Sequence, residues 1–238
     1  MPLTNFKNET MKISYLIAVH NEHVELRRLL EQLIGIGDSN MDNEIIIQGD
    51  QGKVTDEVVS VIRWALKDSR VKYIEYPLKK DFAGFKNNLI RQATGDYCFL
   101  IDADELIHPN LLLNVKEILA NNSEVEMFIL PRFNVVKGLT PDYSKSQGWN
   151  VVTMNIEPDE FLKSIGTFQT VQLVNPFDPQ QRIWKNLSTI RYEGSVHERL
   201  TGYKTQTQFE PDLNWMIYHI KSIDRQKKQN EFYETIQK

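Results

Sequence analysis

Five short, almost wholly apolar runs, at residues 12–19, 44–48, 71–76, 97–101 and 125–130, constrain this chain more than any other feature. A strand that is apolar on both faces has to be covered on both, which points to a sheet sandwiched between helices rather than one facing water. The intervening segments supply the cover. Leu26, Leu29, Leu30 and Leu33 recur at helical spacing within 24–36. Thr55-Asp56 reads as the start of a helix running to about residue 67, with a hydroxyl and a carboxylate where free helix N–H groups need acceptors. Helices are also expected at 85–93, before Gly95, and at 109–120. Strand and helix alternating in this way predict an α/β fold with a mostly parallel central sheet and helices on both faces.

The alternation stops after Pro131. Residues 135–165 mix Gly138, Pro141, Gly148, Trp149 and Pro158 without a period, and are read as a long excursion with limited regular structure. Short strands are expected at 168–174, 182–184 and 189–192, and a helix at 223–236. At 238 residues, 41% hydrophobic and 25% charged, the chain suits one domain. Its expected parts are a nucleotide-binding half at 12–130, an acceptor and catalytic half at 131–220, and a C-terminal helix. No apolar run approaches the ~18 residues of a membrane span, and residues 1–12 hold no signal-peptide core, so the expected location is cytoplasmic. The lone Cys98 falls inside an apolar run and reads as a small buried hydrophobe. A net charge of −4 offers nucleic acid no global attraction. Two local basic clusters exist: Lys79, Lys80, Lys86 and Arg91, and Lys221, Arg225, Lys227 and Lys228.

Sheets of this kind bind ligands beyond the carboxyl ends of their strands. Three predicted strand ends are polar: His20-Asn21-Glu22, Asp50, and Asp102-Ala103-Asp104-Glu105. If the strand alternation persists, Asp102 and Asp104 point the same way. Two converging carboxylates repel unless they share a cation, and a hard divalent metal that carries phosphate oxygens meets that need.

In order and spacing these motifs resemble glycosyltransferase family 2, whose members have the GT-A fold, a Rossmann-like fold for nucleotide-diphospho-sugar transfer. The matching segments are Val19-His20-Asn21-Glu22, Asp50-Gln51-Gly52 with Thr55-Asp56, Lys86-Asn87, Gly95-Asp96-Tyr97, and Asp102-Ala103-Asp104. The second half resembles one branch of the family through Asp178-Pro179-Gln180-Gln181-Arg182-Ile183-Trp184, Val196-His197-Glu198 and His219, and the ending is similar to small members carried by large tailed phages. Two departures bear on the base pocket: Gly49 stands where an aspartate is common, and Lys53-Val54 where a serine is usual.

The resemblance implies a metal-dependent, inverting transfer from a nucleoside-diphosphate sugar, with a UDP-sugar favoured. Asp104 would bind Mn2+ or Mg2+, Asp102 would reach the ribose and the metal through water, and His219 would be a further ligand. Glu198 would be the general base, with His197 beside it as the competing candidate. Val19, Asn21, Glu22 and Asp50 would line the base and ribose pocket. Lys86 and Arg182 would face the diphosphate, and Tyr143, Trp149 or Trp184 would stack on a ring. The acceptor would be a hydroxyl, either of 5-hydroxymethylcytosine in phage DNA or of a saccharide. The rival readings are a nucleotidyltransferase, for which the segment after the first strand lacks a basic glycine-rich loop, and a non-catalytic nucleotide-sugar binder, which would not need the acidic pair and the late glutamate.

Overall fold

The computed structural model describes residues 11–36, 42–167, 169–194 and 198–237. Its first half alternates as expected: β1 (Ile13–Val19), α1 (His23–Ile36), β2 (Glu44–Asp50), α2 (Asp56–Ala65), β3 (Val71–Tyr76), α3 (Phe82–Ile90) and β4 (Tyr97–Asp102). Local chemistry sets the helix starts. The Thr55 hydroxyl accepts from the Val58 N–H at the start of α2. At α3 the Asp81 carboxylate accepts from the Gly84 N–H. That cap starts the helix three residues before the expected Phe85. A turn after β4 leads to the short β5 (Glu105–Ile107), and α4 (Pro109–Asn121) begins with proline in its first turn, where no N–H is needed.

The chain then lays down β6 (Met127–Lys137), α5 (Pro141–Ser146), β7 (Val151–Asn155), α6 (Glu160–Ser164), β8 (Thr170–Val174), β9 (Asp178–Lys185), β10 (Arg191–Glu193), β11 (Arg199–Thr201), β12 (Gln206–Gln208), β13 (Ile217–Ser222) and α7 (Ile223–Gln237). The main sheet runs β3-β2-β1-β4-β9-β6-β13-β5, with β12 also on β6. Pairs among β1 to β4, and those of β12 and β13 with β6, are parallel. The sheet is therefore mostly parallel, with β9 inserted antiparallel between β4 and β6 and β5 antiparallel on β13.

The two faces have separate cores. Ile13, Tyr15, Ile17 and Val19 of β1 pack with apolar residues of α1, α2 and α4. Leu16 turns the other way, toward Ala83 and Leu89 of α3 and the hairpin residues Tyr192 and Leu200. Cys98 is buried on that second face, and burial pushes its thiol up to about 12, so it packs as the small hydrophobe expected of it.

Residues 135–165 are more regular than expected. β6 continues to Lys137, and β7 pairs antiparallel with β8 in a small sheet of its own. Its pairing partner lies beyond the segment, which hides it from a reading of local period. β5 likewise leaves no local period, being only three residues long and stabilised by a strand from the far end of the chain.

At the opposite end of the sheet from the strand carboxyl ends, Glu44 opens β2 almost fully buried. Its carboxylate accepts from the Ser14 hydroxyl at 2.7 Å, from the Thr94 N–H at 2.7 Å and from the Lys72 ammonium at 2.7 Å. Burial alone would raise its pKa, but the bonds from Lys72, Ser14 and Thr94 outweigh it and bring the carboxyl from 4.5 down to about 2. A lowered folded-state value gives stability that is complete above the unfolded value and lost as pH falls through the folded one. Glu44→Ala should therefore cost about 2–3 kcal/mol at pH 7. In urea denaturation the gap between wild type and variant should narrow as pH drops below 4.5 toward 2.

Candidate functional site

Strand alternation does not set the directions of Asp102 and Asp104. β4 ends at Asp102, and Ala103 and Asp104 form a turn into β5. The turn sends the two carboxylates to different partners. Asp104 meets His219, which β13 carries alongside β6. The His219 Nε2 lies 3.1 Å from Asp104 Oδ2, and its Nδ1 lies 3.1 Å from Oδ1 of Asn134, its register partner on β6. Burial would raise the Asp104 pKa, but the hydrogen bond from His219 outweighs it and holds the carboxyl below its ordinary range.

This pair suits a divalent metal. With Nδ1 bonded to Asn134, Nε2 faces a carboxylate oxygen, and either the proton of the hydrogen bond just described or a metal in its place can lie between them. Octahedral bonds of about 2.1 Å also set neighbouring ligands about 3 Å apart. Among the described residues no group of three or more His, Cys, Asp or Glu is placed to hold a metal. A two-residue site is what Mg2+ or Mn2+ needs when phosphate oxygens and water complete the shell.

Asp102 turns toward Arg182 on β9, whose guanidinium Nη2 reaches Asp102 Oδ2 at 2.7 Å and Glu105 Oε1 at 2.6 Å. Arg182 is 3% exposed. Burial favours the neutral form of each carboxyl, and two acids this close favour it further for one of them. The Arg182 charge, followed by that of Lys86, overcomes burial at Asp102 and lowers its pKa, whereas burial and the Asp102 charge leave Glu105 raised. Arg132 adds a second cation, 3.6 Å from Glu105 and 2.5 Å from Asp178. Expected to face a diphosphate, Arg182 instead has its guanidinium committed to this acidic turn.

Lys86 is likewise engaged. Its Nζ lies 2.6 Å from Glu198 Oε1 and 5.0 Å from the centroid of the Tyr192 ring. Burial would lower the lysine pKa, but Tyr192 and the Asp102 and Glu198 carboxylates beside it outweigh burial and raise the value. His197 lies outside the described residues. Asp50 is buried at the end of β2, accepting from the Leu78 N–H at 2.9 Å and pairing with Lys53 at 3.1 Å. Glu22 folds back on its own turn and accepts from the His20 and Asn21 N–H groups, leaving Asn21 exposed. The Val19 side chain packs in the core. Trp184 is fully buried with its ring edge against Tyr192, so it cannot stack on a ligand; Tyr143 and Trp149 stack edge-on with each other.

Two residues read only as members of a basic cluster reach the site. Arg225 of α7 pairs with Glu25, lies 3.5 Å from Glu22, and approaches Asp104 Oδ2 at 3.7 Å. Lys221 of β13 is buried; burial, reinforced by Arg132 and Arg225 against the pull of Asp104, brings its ammonium down to about 8. With Arg28 and Lys137 they line a cavity of about 220 Å³ that reaches Asp104. A four-residue basic spacing gives no hint of this, because what matters is that the end of β13 and the start of α7 lie beside the acidic turn. Arg182→Ala leaves the buried Glu105 carboxylate without its partner beside the half-exposed Asp102, and should cost about 3–5 kcal/mol in chemical denaturation.

Comparison with known proteins gives the family and the fold. The model of the family described as "Glycosyl transferase family 2" matches residues 14–175. The SPbeta prophage-derived glycosyltransferase SunS of Bacillus subtilis (strain 168) is 22% identical over 213 residues, covering 90% of this chain and 40% of SunS; the SunS of Bacillus phage SPbeta matches equally. The chain thus spans about 40% of the length of these curated relatives. Among solved structures, S. aureus TarS superposes with a TM-score of 0.58 at 12% identity, covering 88% of this chain and 37% of TarS. TarS 1–349 in complex with UDP-GlcNAc gives 0.56 at 12% identity, covering 88% of this chain and 58% of that one. The fold is the expected one.

Proposed function

The chain belongs to glycosyl transferase family 2, and from that premise we propose that it moves a sugar from a nucleoside-diphosphate sugar to an acceptor hydroxyl with inversion, using a divalent metal at Asp104 and His219. One observation carries the reading: a histidine nitrogen and a carboxylate oxygen set 3.1 Å apart at the carboxyl ends of the strands, beside a cavity lined by Lys221 and Arg225. When bound, Mn2+ or Mg2+ would neutralise charge on the departing diphosphate. Asp102, at the end of β4, would take the ribose side, with Asp50, Asn21, Glu22 and the main chain at Val19 toward the base. TarS binds UDP and UDP-GlcNAc on this fold, which makes a uridine nucleotide the first carrier to test.

Glu198 would act as the base. As the acceptor oxygen bonds to the anomeric carbon and the bond from that carbon to the diphosphate oxygen breaks, the acceptor proton passes to the Glu198 carboxylate. General-base help of this kind is worth about 10²–10⁴-fold.

A saccharide hydroxyl is the better supported acceptor. Binding DNA relies on Lys and Arg placed against phosphates, and three of the eight residues in the two basic clusters are already engaged: Lys86 is spent on Glu198, Lys221 is buried and Arg225 is paired with Glu22 and Glu25. Hydroxymethylated cytosine remains the alternative suggested by the phage relatives. Among the described residues no helix is long and apolar enough to cross a membrane.

Thermal shift tests the donor site. UDP should stabilise the wild type only with Mn2+ present, whereas Asp104→Ala and His219→Ala should lose the metal-dependent part of the shift. Full stabilisation of both variants would remove the metal from the reading. Glu198→Gln should keep that shift yet hydrolyse UDP-sugar at least 100-fold more slowly; loss of the shift instead would move Glu198 into the donor site.

A further inference from the structure

Helix α3 presents Lys86 and Asn87 side by side toward the hairpin of β10 and β11. The Asn87 side-chain amide makes two opposed bonds with one residue: its Nδ2 donates to the Tyr192 carbonyl at 2.9 Å, and its Oδ1 accepts from the Tyr192 N–H at 2.8 Å. This fixes α3 to the middle of β10 and satisfies both main-chain groups of Tyr192 at once. One residue earlier, the Lys86 ammonium lies beside the Tyr192 ring and bonds Glu198 at 2.6 Å. Tyr192 and Glu198 bracket the segment that leads from β10 to β11. Two neighbouring residues of one helix therefore bond Tyr192 on one side of that segment and Glu198 on the other.

The grip on Glu198 is one-sided. Oε1 is taken by Lys86, while Oε2 makes no hydrogen bond among the described residues. Both side chains are largely covered, at 19% and 13% exposure, so the pair is more than a mobile surface contact. A glutamate has several free torsions, and ordering them separately for every encounter with an acceptor costs entropy that a fixed partner removes in advance.

We propose that Lys86 is a positioning residue for Glu198: it fixes one carboxylate oxygen so that the other faces the acceptor hydroxyl and receives its proton. This rests on Glu198 being the base, and it changes the role of Lys86 from a diphosphate ligand to the orienting partner of a side chain across the site. The proton moves from the acceptor oxygen to Oε2, and the lysine keeps its own protons throughout.

A double-mutant cycle decides it. Hydrolysis of UDP-sugar in the presence of Mn2+, with water in place of the acceptor, is measured for wild type, Lys86→Met, Glu198→Gln and the double variant, alongside UDP affinity by calorimetry. Lys86→Met is expected to lower kcat at least tenfold with UDP affinity within twofold of wild type. In the double variant the losses should not multiply, because Lys86 acts only through Glu198, and Lys86→Arg should recover most of the rate. Should Lys86→Met lose its cooperative melting transition, Lys86→Gln is judged by the same criteria. A tenfold loss of UDP affinity with kcat unchanged makes Lys86 a donor ligand and overturns the proposal, as does a double variant slower by the product of the single losses. If Glu198→Gln hydrolyses at the wild-type rate, or the wild type hydrolyses none of a panel of UDP-sugars, the underlying reading fails first and takes the proposal with it.

Discussion

Everything at the strand ends depends on the Arg182 guanidinium held between Asp102 and Glu105. An acidic turn of three carboxylates cannot sit at the edge of a packed core unless a cation shares it. Arg182 supplies that cation from below, buried, with Arg132 behind it. Glu105 then stays inside the fold, and β5 can turn back to pair with β13. That pairing brings His219 opposite Glu105 in register and against Asp104. Without the buried cation the acidic turn would open to water, and the histidine would lose its partner.

The inserted strand explains how this is achieved. In a sheet wound only from parallel strands, β4 would have neighbours of its own direction, and a basic residue beneath its end would have to come from a loop. β9 instead enters antiparallel between β4 and β6. Its apolar end, Ile183 and Trp184, fills the two cores, while its other end carries Arg182 to the acidic turn and Gln181 to the Leu200 main chain of β11. One strand thus links the core, the acidic turn and the hairpin that carries the proposed base.

Charge is divided between the two faces of the sheet. On the α1 and α7 side, Asp104, Arg225 and Lys221 line the cavity, with His219 against Asp104. On the α3 side, Asp102, Lys86, Tyr192 and Glu198 form a second cluster, joined to the first by Arg182 and Glu105. A sugar donor spanning both would place its diphosphate at one and its reacting carbon near the other, which is how a single sheet edge could serve binding and proton transfer with different residues.

The alternation of apolar runs with helical spacing determined the first half of the fold by itself, because strands covered on both faces leave no polar period to misread and caps such as Thr55 mark the helix starts locally. The polar strand ends at Asn21, Asp50 and Asp102 were legible for the same reason. The sequence also supplied Glu198 and His219 as residues of interest, through resemblance rather than through any local pattern. Tertiary structure alone decided what these groups touch. That Arg182 neutralises the acidic turn, that Lys86 meets Glu198, that Asp102 and Asp104 part company at a turn, and that Lys221 and Arg225 close on the site all depend on contacts between elements far apart in the chain. A one-dimensional period records which face of a strand or helix is apolar; it holds no record of which distant strand lies beside it, and electrostatic pairing is settled by that adjacency.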